Sequence, residues 1–288
     1  MATIAPVRPS PIAGAWYEGN PHALAQAVDR YIDQAELPEL PGEVVAVIAP
    51  HAGHIYSGPV AGYAFATVRG KAFDLVAVLS PMHQAYDEPL LTTAHSAYVT
   101  PLGEVRVDRD TVSDLDSRLK ESLGHGLTPV AYDREHSLEI ELPFLQRALA
   151  GDFKLLPVMV RAQSAKLSRQ IGEALAETLH GRNALIVAST DLSHFYTQQE
   201  AVAFDSEMLR RIESFSPDDV FCAEGEQKGF ACGLGALTAA LWAAKALGGD
   251  MVKVLRHATS GNVTGDYSSV VGYGAAVVLK TDSDAPAN

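Results

Sequence analysis

Short apolar runs without alternation recur along the chain: Val44–Ala49, Leu75–Leu79, Leu155–Val160 (broken by Pro157) and Ala184–Ala188. Runs of this length predict strands covered on both faces. Segments with helical spacing lie between them. Leu24, Val28 and Ile32 share one face after Asn20-Pro21, where a capping side chain precedes proline at the first helical position, and Pro38 and Pro41 close that segment. Leu167, Ile171, Leu175 and Leu179 repeat every four residues, with Gly181 placed to end the helix. Such alternation predicts a largely parallel sheet wrapped by helices. Leu90–Asp108 alternates instead, around a hairpin turn at Thr100-Pro101-Leu102-Gly103, and Val252–Thr259 with Tyr267–Leu279 predicts a second β pair around Gly261-Asn262. The expected fold is therefore α/β, with a mixed, largely parallel central sheet flanked by helices. The most apolar helical stretch, near Leu234–Leu247, carries Lys245 and many alanines, which predicts a buried helix.

Composition narrows the class. With 288 residues, 47% of them hydrophobic and 20% charged, the chain suits one large domain over residues 1–281, and the short polar tail 282–288 is expected to be disordered. A formal net charge of -13 repels phosphate backbones and argues against nucleic-acid partners. Two cysteines, Cys222 and Cys232, are too few for a secreted disulfide scaffold, so a cytoplasmic location with reduced thiols is expected. The start, Met1-Ala-Thr-Ile-Ala-Pro, lacks the blocks of a signal peptide, and no apolar stretch reaches the length of a membrane span.

One arrangement carries chemistry, because it occurs three times. Val44–Ala49 leads into Pro50-His51, Leu75–Leu79 into Ser80-Pro81-Met82-His83, and Ala184–Ala188 into Ser189-Thr190-Asp191-Leu192-Ser193-His194. Ligands of open parallel sheets bind outside the carboxyl ends of the strands. If these strands are neighbours, three histidines converge there, each able to ligate a metal or carry a proton. A single histidine after a strand more often satisfies a turn; three at equivalent places argue for a shared site. The spacing lacks a compact signature such as His-Glu-x-x-His. Cys232 lies just before the apolar helix, where the helix dipole favours a thiolate. Cys222 has no such setting and is assigned to the core. His136 and Glu139 gather at another helix start, suited equally to capping and to lining a pocket. His54, Tyr56 and Ser57 follow His51 in a glycine-flanked loop without the pattern of a phosphate cradle. No Gly-x-Ser-x-Gly elbow supports a nucleophilic serine. His22, His95, His125, His180 and His257 read as surface or structural.

Four segments together resemble the Memo family. They are Ala49-Pro50-His51-Ala52-Gly53-His54-Ile55-Tyr56-Ser57-Gly58, His136-Ser137-Leu138-Glu139-Ile140-Glu141-Leu142-Pro143-Phe144, Ser189-Thr190-Asp191-Leu192-Ser193-His194-Phe195-Tyr196, and Arg8-Pro9 through Ala13-Gly14-Ala15-Trp16-Tyr17. Bacterial and archaeal members are often called AmmeMemoRadiSam system protein B. The resemblance implies a fold similar to class III extradiol dioxygenases, which are non-haem iron enzymes. It implies His51, His83 and Cys232 as metal ligands and His194 and Asp191 as catalytic groups with His194 in the place of the base; His136, Glu139, His54, Tyr56 and Tyr196 are expected around the pocket. Iron (Fe2+) is the implied cofactor, with copper and zinc as alternatives. The implied activity is a metal-dependent oxidoreductase acting on a small aromatic or related substrate. A metal- or peptide-binding scaffold without turnover and a zinc-dependent hydrolase are the alternatives, and oligomerisation is left open. The chain departs from the family pattern at Met82, Gln84, His54 and Ala231, where serine, histidine, an aromatic residue and arginine are frequent.

Overall fold

The computed structural model describes residues 4–281; the tail expected to be disordered lies outside them. In chain order the elements are β1 (Val7–Arg8), α1 (Pro21–Asp33), β2 (Glu43–Ala49), α2 (His54–Ala66), β3 (Leu75–Pro81), β4 (Leu90–Thr93), β5 (Ala97–Thr100), β6 (Gly103–Arg106), α3 (Arg109–Leu123), β7 (Thr128–Val130) and α4 (Leu142–Ala148), preceded by a 3-10 turn at Glu139–Glu141. They continue with β8 (Lys154–Val160), α5 (Ala165–Leu179), β9 (Ala184–Ser189), β10 (His194–Tyr196), α6 (Gln198–Glu213), α7 (Pro217–Gly225), α8 (Leu234–Ala246), β11 (Met251–Thr259), α9 (Gly261–Thr264) and β12 (Val270–Lys280).

The four uniformly apolar runs form the centre of the main sheet, whose order is β10-β12-β2-β9-β3-β8-β4-β7, with β11 on β12. β2, β9, β3 and β8 run parallel. β12, β11, β10 and β4 add antiparallel pairings, so the sheet is mixed as the pattern predicts. All seven residues of β3 are buried, the burial expected of a strand covered on both faces. The predicted hairpin is β5–β6, part of a separate three-stranded sheet with β1. β4, from the same alternating segment, joins the main sheet instead.

The helices start and stop where their caps dictate. Asn20 accepts the amides of His22 and Ala23 at the head of α1. Gly181 follows α5 at φ +73, a left-handed conformation glycine adopts without a Cβ penalty. α8 lies on β2, β9 and β3 and packs against α5, while α2 covers β2 and β12 and packs against α1. Gly62 permits that second contact, since a Cβ there would stand 2.3 Å from the carbonyl oxygen of Tyr31. α8 is buried nearly all round, and its Lys245 ammonium reaches the Phe215 carbonyl. Among the described residues no helix is long and apolar enough to cross a membrane. Cys222, expected in the core, is exposed on α7, because Val220 and Ala223 occupy the inward face of that short helix.

Candidate metal centre

β2, β9 and β3 are consecutive neighbours, so the loops carrying His51, Asp191 and His83 leave the sheet side by side at its carboxyl edge. His51 is buried at 2% exposure. Its amide donates to Asp191 Oδ1 at 2.8 Å, and its Nδ1 lies 2.9 Å from Ser189 Oγ. His83 sits at the open side, its side chain 38% exposed, with Nδ1 2.8 Å from Glu135 Oε1. The same carboxylate accepts the His83 amide at 2.6 Å and the amides of His136 and Ser137 at 3.0 Å. The His136 ring stacks on His83 at a centroid distance of 4.8 Å, and Trp16 covers it at 4.1 Å. Donor atoms of His51, His83 and His136 all lie within 4.8 Å of one another.

Cys232 lies against this trio at His51. Its Sγ is 3.1 Å from His51 Nε2 and accepts the Asp191 amide at 3.3 Å. The sequence pointed to two imidazoles and a thiolate; the geometry gathers three imidazoles with the sulfur against one of them. Loss of hydration pushes the Cys232 thiol well above its ordinary range, and the nearby Asp191 adds to the shift. That burial outweighs the helix dipole expected to favour the thiolate at the start of α8.

The remaining electrostatics favour neutral imidazoles at His51 and His136. Burial, then the neighbouring His136 and His83, hold His51 well below the usual histidine range. Burial brings His136 down to about 4, partly opposed by Glu135. Burial also works to raise Glu135, but its hydrogen bonds and charge contact with His83 outweigh this and keep it ionised far below the ordinary range. Asp191, buried, is pushed up to about 7 despite the amides of His51 and Ala52.

Other expected site residues have different partners. His194 Nδ1 faces the Leu192 carbonyl at 2.9 Å, so Leu192 orients that ring and Asp191 instead fixes the His51 turn. His194 is nonetheless near enough for its charge to disfavour that of His51. Glu139 is buried against Arg8, Ser10 and Tyr17, tying down the N-terminal segment. His54 is buried, 3.0 Å from the Ile140 carbonyl. Tyr56 lines a separate cavity of about 350 Å³ with Tyr63, Arg256 and His257. Tyr196 packs on Phe204 and Phe230. A cavity of about 710 Å³ lies at the amino ends of β3 and β8, lined by Asp74, Glu104, Arg106 and Lys154, so cavity size does not mark this site; donor chemistry does. Sequence reasoning missed Glu135, Ser189, Glu141 and Trp16. Glu135 directly precedes His136 and Ser189 ends β9, so adjacency to the chosen histidines was the available signal.

The donor set suits a metal ion. The Nδ1 atoms of His51 and His83 are tied to protein oxygens, which leaves their Nε2 atoms as the ones that could bind a metal. An α/β fold whose parallel strands deliver imidazoles to one crevice defines a class of proteins built around a metal-capable carboxyl edge. Comparison with known sequences narrows that class. The Memo family model, described as Memo-like protein, matches residues 8–277. A MEMO1 family protein of Nitrosopumilus maritimus is 33% identical over 273 residues, covering 93% of this chain and 98% of its own. Another from Methanosarcina mazei is 33% identical over 276 residues, covering 94% and 99%. This chain belongs to the Memo family.

Proposed function

We propose that the crevice binds one metal ion, with His51, His83 and His136 as nitrogen donors and Cys232 as a thiolate donor, and that the protein is a metal-dependent oxidoreductase. The convergence of the three imidazoles within 4.8 Å carries the metal reading. Cys232 would join by releasing its proton, which couples binding to pH. Four protein donors close a tetrahedral zinc site but leave open positions on six-coordinate iron, so the oxidoreductase reading takes Fe2+ as its ion. The dioxygenase-like chemistry rests on the family's resemblance to extradiol enzymes. A bound iron would supply a redox-active Lewis acid for a small aromatic or related substrate.

The chain's own groups divide the remaining work. His83, exposed on one side, marks the entry. Trp16 shields His136 from water. His194, with Nδ1 engaged by the Leu192 carbonyl, offers Nε2 as a proton acceptor. Burial lowers its basicity, which keeps that nitrogen neutral and able to accept.

The test is anaerobic Fe2+ loading with elemental analysis, followed by oxygen uptake on a panel of catechol-like substrates. Stoichiometric iron lost in His51→Ala and His83→Ala, with substrate-dependent oxygen uptake, is the expected result. Absence of any metal overturns the reading. Bound metal with no turnover moves the protein to a metal- or peptide-binding scaffold. Stoichiometric zinc with ester or amide cleavage moves it to a hydrolase.

A further inference from the structure

The hydroxyl of Ser189, the last residue of β9, faces three partners at once. Its Oγ is 2.6 Å from the Ser137 carbonyl oxygen, 2.8 Å from Glu141 Oε1 and 2.9 Å from His51 Nδ1. Ser137, Glu141 and Ser189 are all fully buried. Three contacts of this length need three protons, and a serine hydroxyl supplies one. A carbonyl oxygen can only accept, so the serine proton goes to Ser137. The other two contacts are then made only if both partners donate: His51 through Nδ1–H and Glu141 through a carboxylic O–H. Any other assignment leaves two lone pairs facing each other at under 3 Å, at a cost of about 1–3 kcal/mol for each buried bond unmade.

Two further observations agree. Cys232 Sγ stands 3.1 Å from His51 Nε2, a contact the Nδ1–H tautomer satisfies with the thiol as donor. Glu141 Oε2 is buried without any partner, which a neutral acid tolerates far better than a carboxylate.

We propose that Ser189 and Glu141 are positioning residues for the metal centre, Glu141 as a neutral carboxylic acid, and that together they lock His51 in the Nδ1–H tautomer. The Nε2 lone pair is thereby aimed at the crevice before any ion arrives. The consequence for metal binding rests on the metal-site reading above; the tautomer does not.

Long-range nitrogen-15 histidine spectra of the metal-free wild type read the tautomer directly, and His51 is expected to carry its proton on Nδ1. A proton on Nε2 overturns the proposal. Zn2+ affinity, measured against a competing chelator, supplies the second readout. Ser189→Ala and Glu141→Leu are expected to lose about 10–100-fold. Glu141→Gln, whose amide still donates to Ser189, is expected to keep both the affinity and the tautomer of the wild type. If Glu141→Gln falls as far as Glu141→Leu, a charged carboxylate is required and the proposal fails. Variants that misfold leave the wild-type spectrum to decide. A wild type that binds no Zn2+ but shows the Nδ1–H tautomer sinks the metal reading and spares this one.

Discussion

Glu135→Gln probes how strictly the crevice is organised. The carboxylate accepts from two nitrogens of His83: Oε2 takes the backbone amide at 2.6 Å and Oε1 takes Nδ1 at 2.8 Å. Oε1 also accepts the amides of His136 and Ser137. Glutamine has one acceptor oxygen where glutamate has two. If that oxygen replaces Oε1, the new NH2 group faces the His83 amide, donor against donor. If it replaces Oε2, the NH2 group faces Nδ1, and His83 can accept from it only by moving its proton to Nε2, which removes the ligating lone pair. Either outcome loses at least one buried hydrogen bond to a charged group, about 1–3 kcal/mol of stability. Loss of the partner that orients a ligating histidine weakens metal binding by about 10–100-fold. That factor corresponds to about 1.4–2.7 kcal/mol.

The assay pairs chelator competition for Zn2+ with urea unfolding, both on wild type and variant. The pH dependence has a definite sign. Glu135 is held below its ordinary value of 4.5, so its stabilisation is full above that pH and is lost as pH falls below it. The stability gap between wild type and variant should therefore be widest near neutral pH and shrink in acid below 4.5. Wild-type metal affinity in a folded Glu135→Gln protein, or a gap that grows in acid, would refute the argument.

Arg8→Met removes a guanidinium that is 1% exposed and paired with both Asp133 and Glu139; stranding those carboxylates should cost about 3–5 kcal/mol. Thermal unfolding should fall by roughly 6–20 °C, and an unchanged midpoint would show the pair is not needed. Gly62→Ala should shift the urea midpoint down although alanine favours helix by about 1 kcal/mol, because the added Cβ meets the Tyr31 carbonyl at 2.3 Å; a stabilised variant would contradict that contact. Burial lowers His54 from 6.5 to about 4, so the unfolded chain takes up its proton first and stability falls as pH drops through that window. His54→Gln, whose amide can still donate to the Ile140 carbonyl, should flatten the slope by up to about 1.4 kcal/mol per pH unit, and urea unfolding across pH 4–7 would expose an unchanged slope.

The parts legible in the sequence are those set by local physics. Strand runs, caps and the β5–β6 hairpin follow from periodicity and turn residues, and they placed His51, His83 and Asp191 at strand ends. Periodicity does not say which strands are neighbours; the crevice exists because β9 lies between β2 and β3. The Memo segments supplied that arrangement by resemblance, and the sheet order is what gives it a physical cause.

What stayed illegible was the choice of polar partner, because those partners are distant in the chain. Glu135 and Glu139 are four residues apart at the start of one helical segment, and nothing local separates them. Arg8, more than 120 residues away, claims Asp133 and Glu139, while Glu135 turns to His83. The same logic decides Cys232. A thiol two residues before a helix favours its anion by the dipole alone, yet enclosure beside the acid Asp191 favours the neutral form, and the neutral form prevails. Strand ends therefore reveal His51 and His83, but not His136 or Cys232, which sit in loops ahead of helical turns. Protonation, which decides whether a ligand can bind, depends on which buried acids stand behind it: Glu135 behind His83, and Glu141 behind His51 through Ser189.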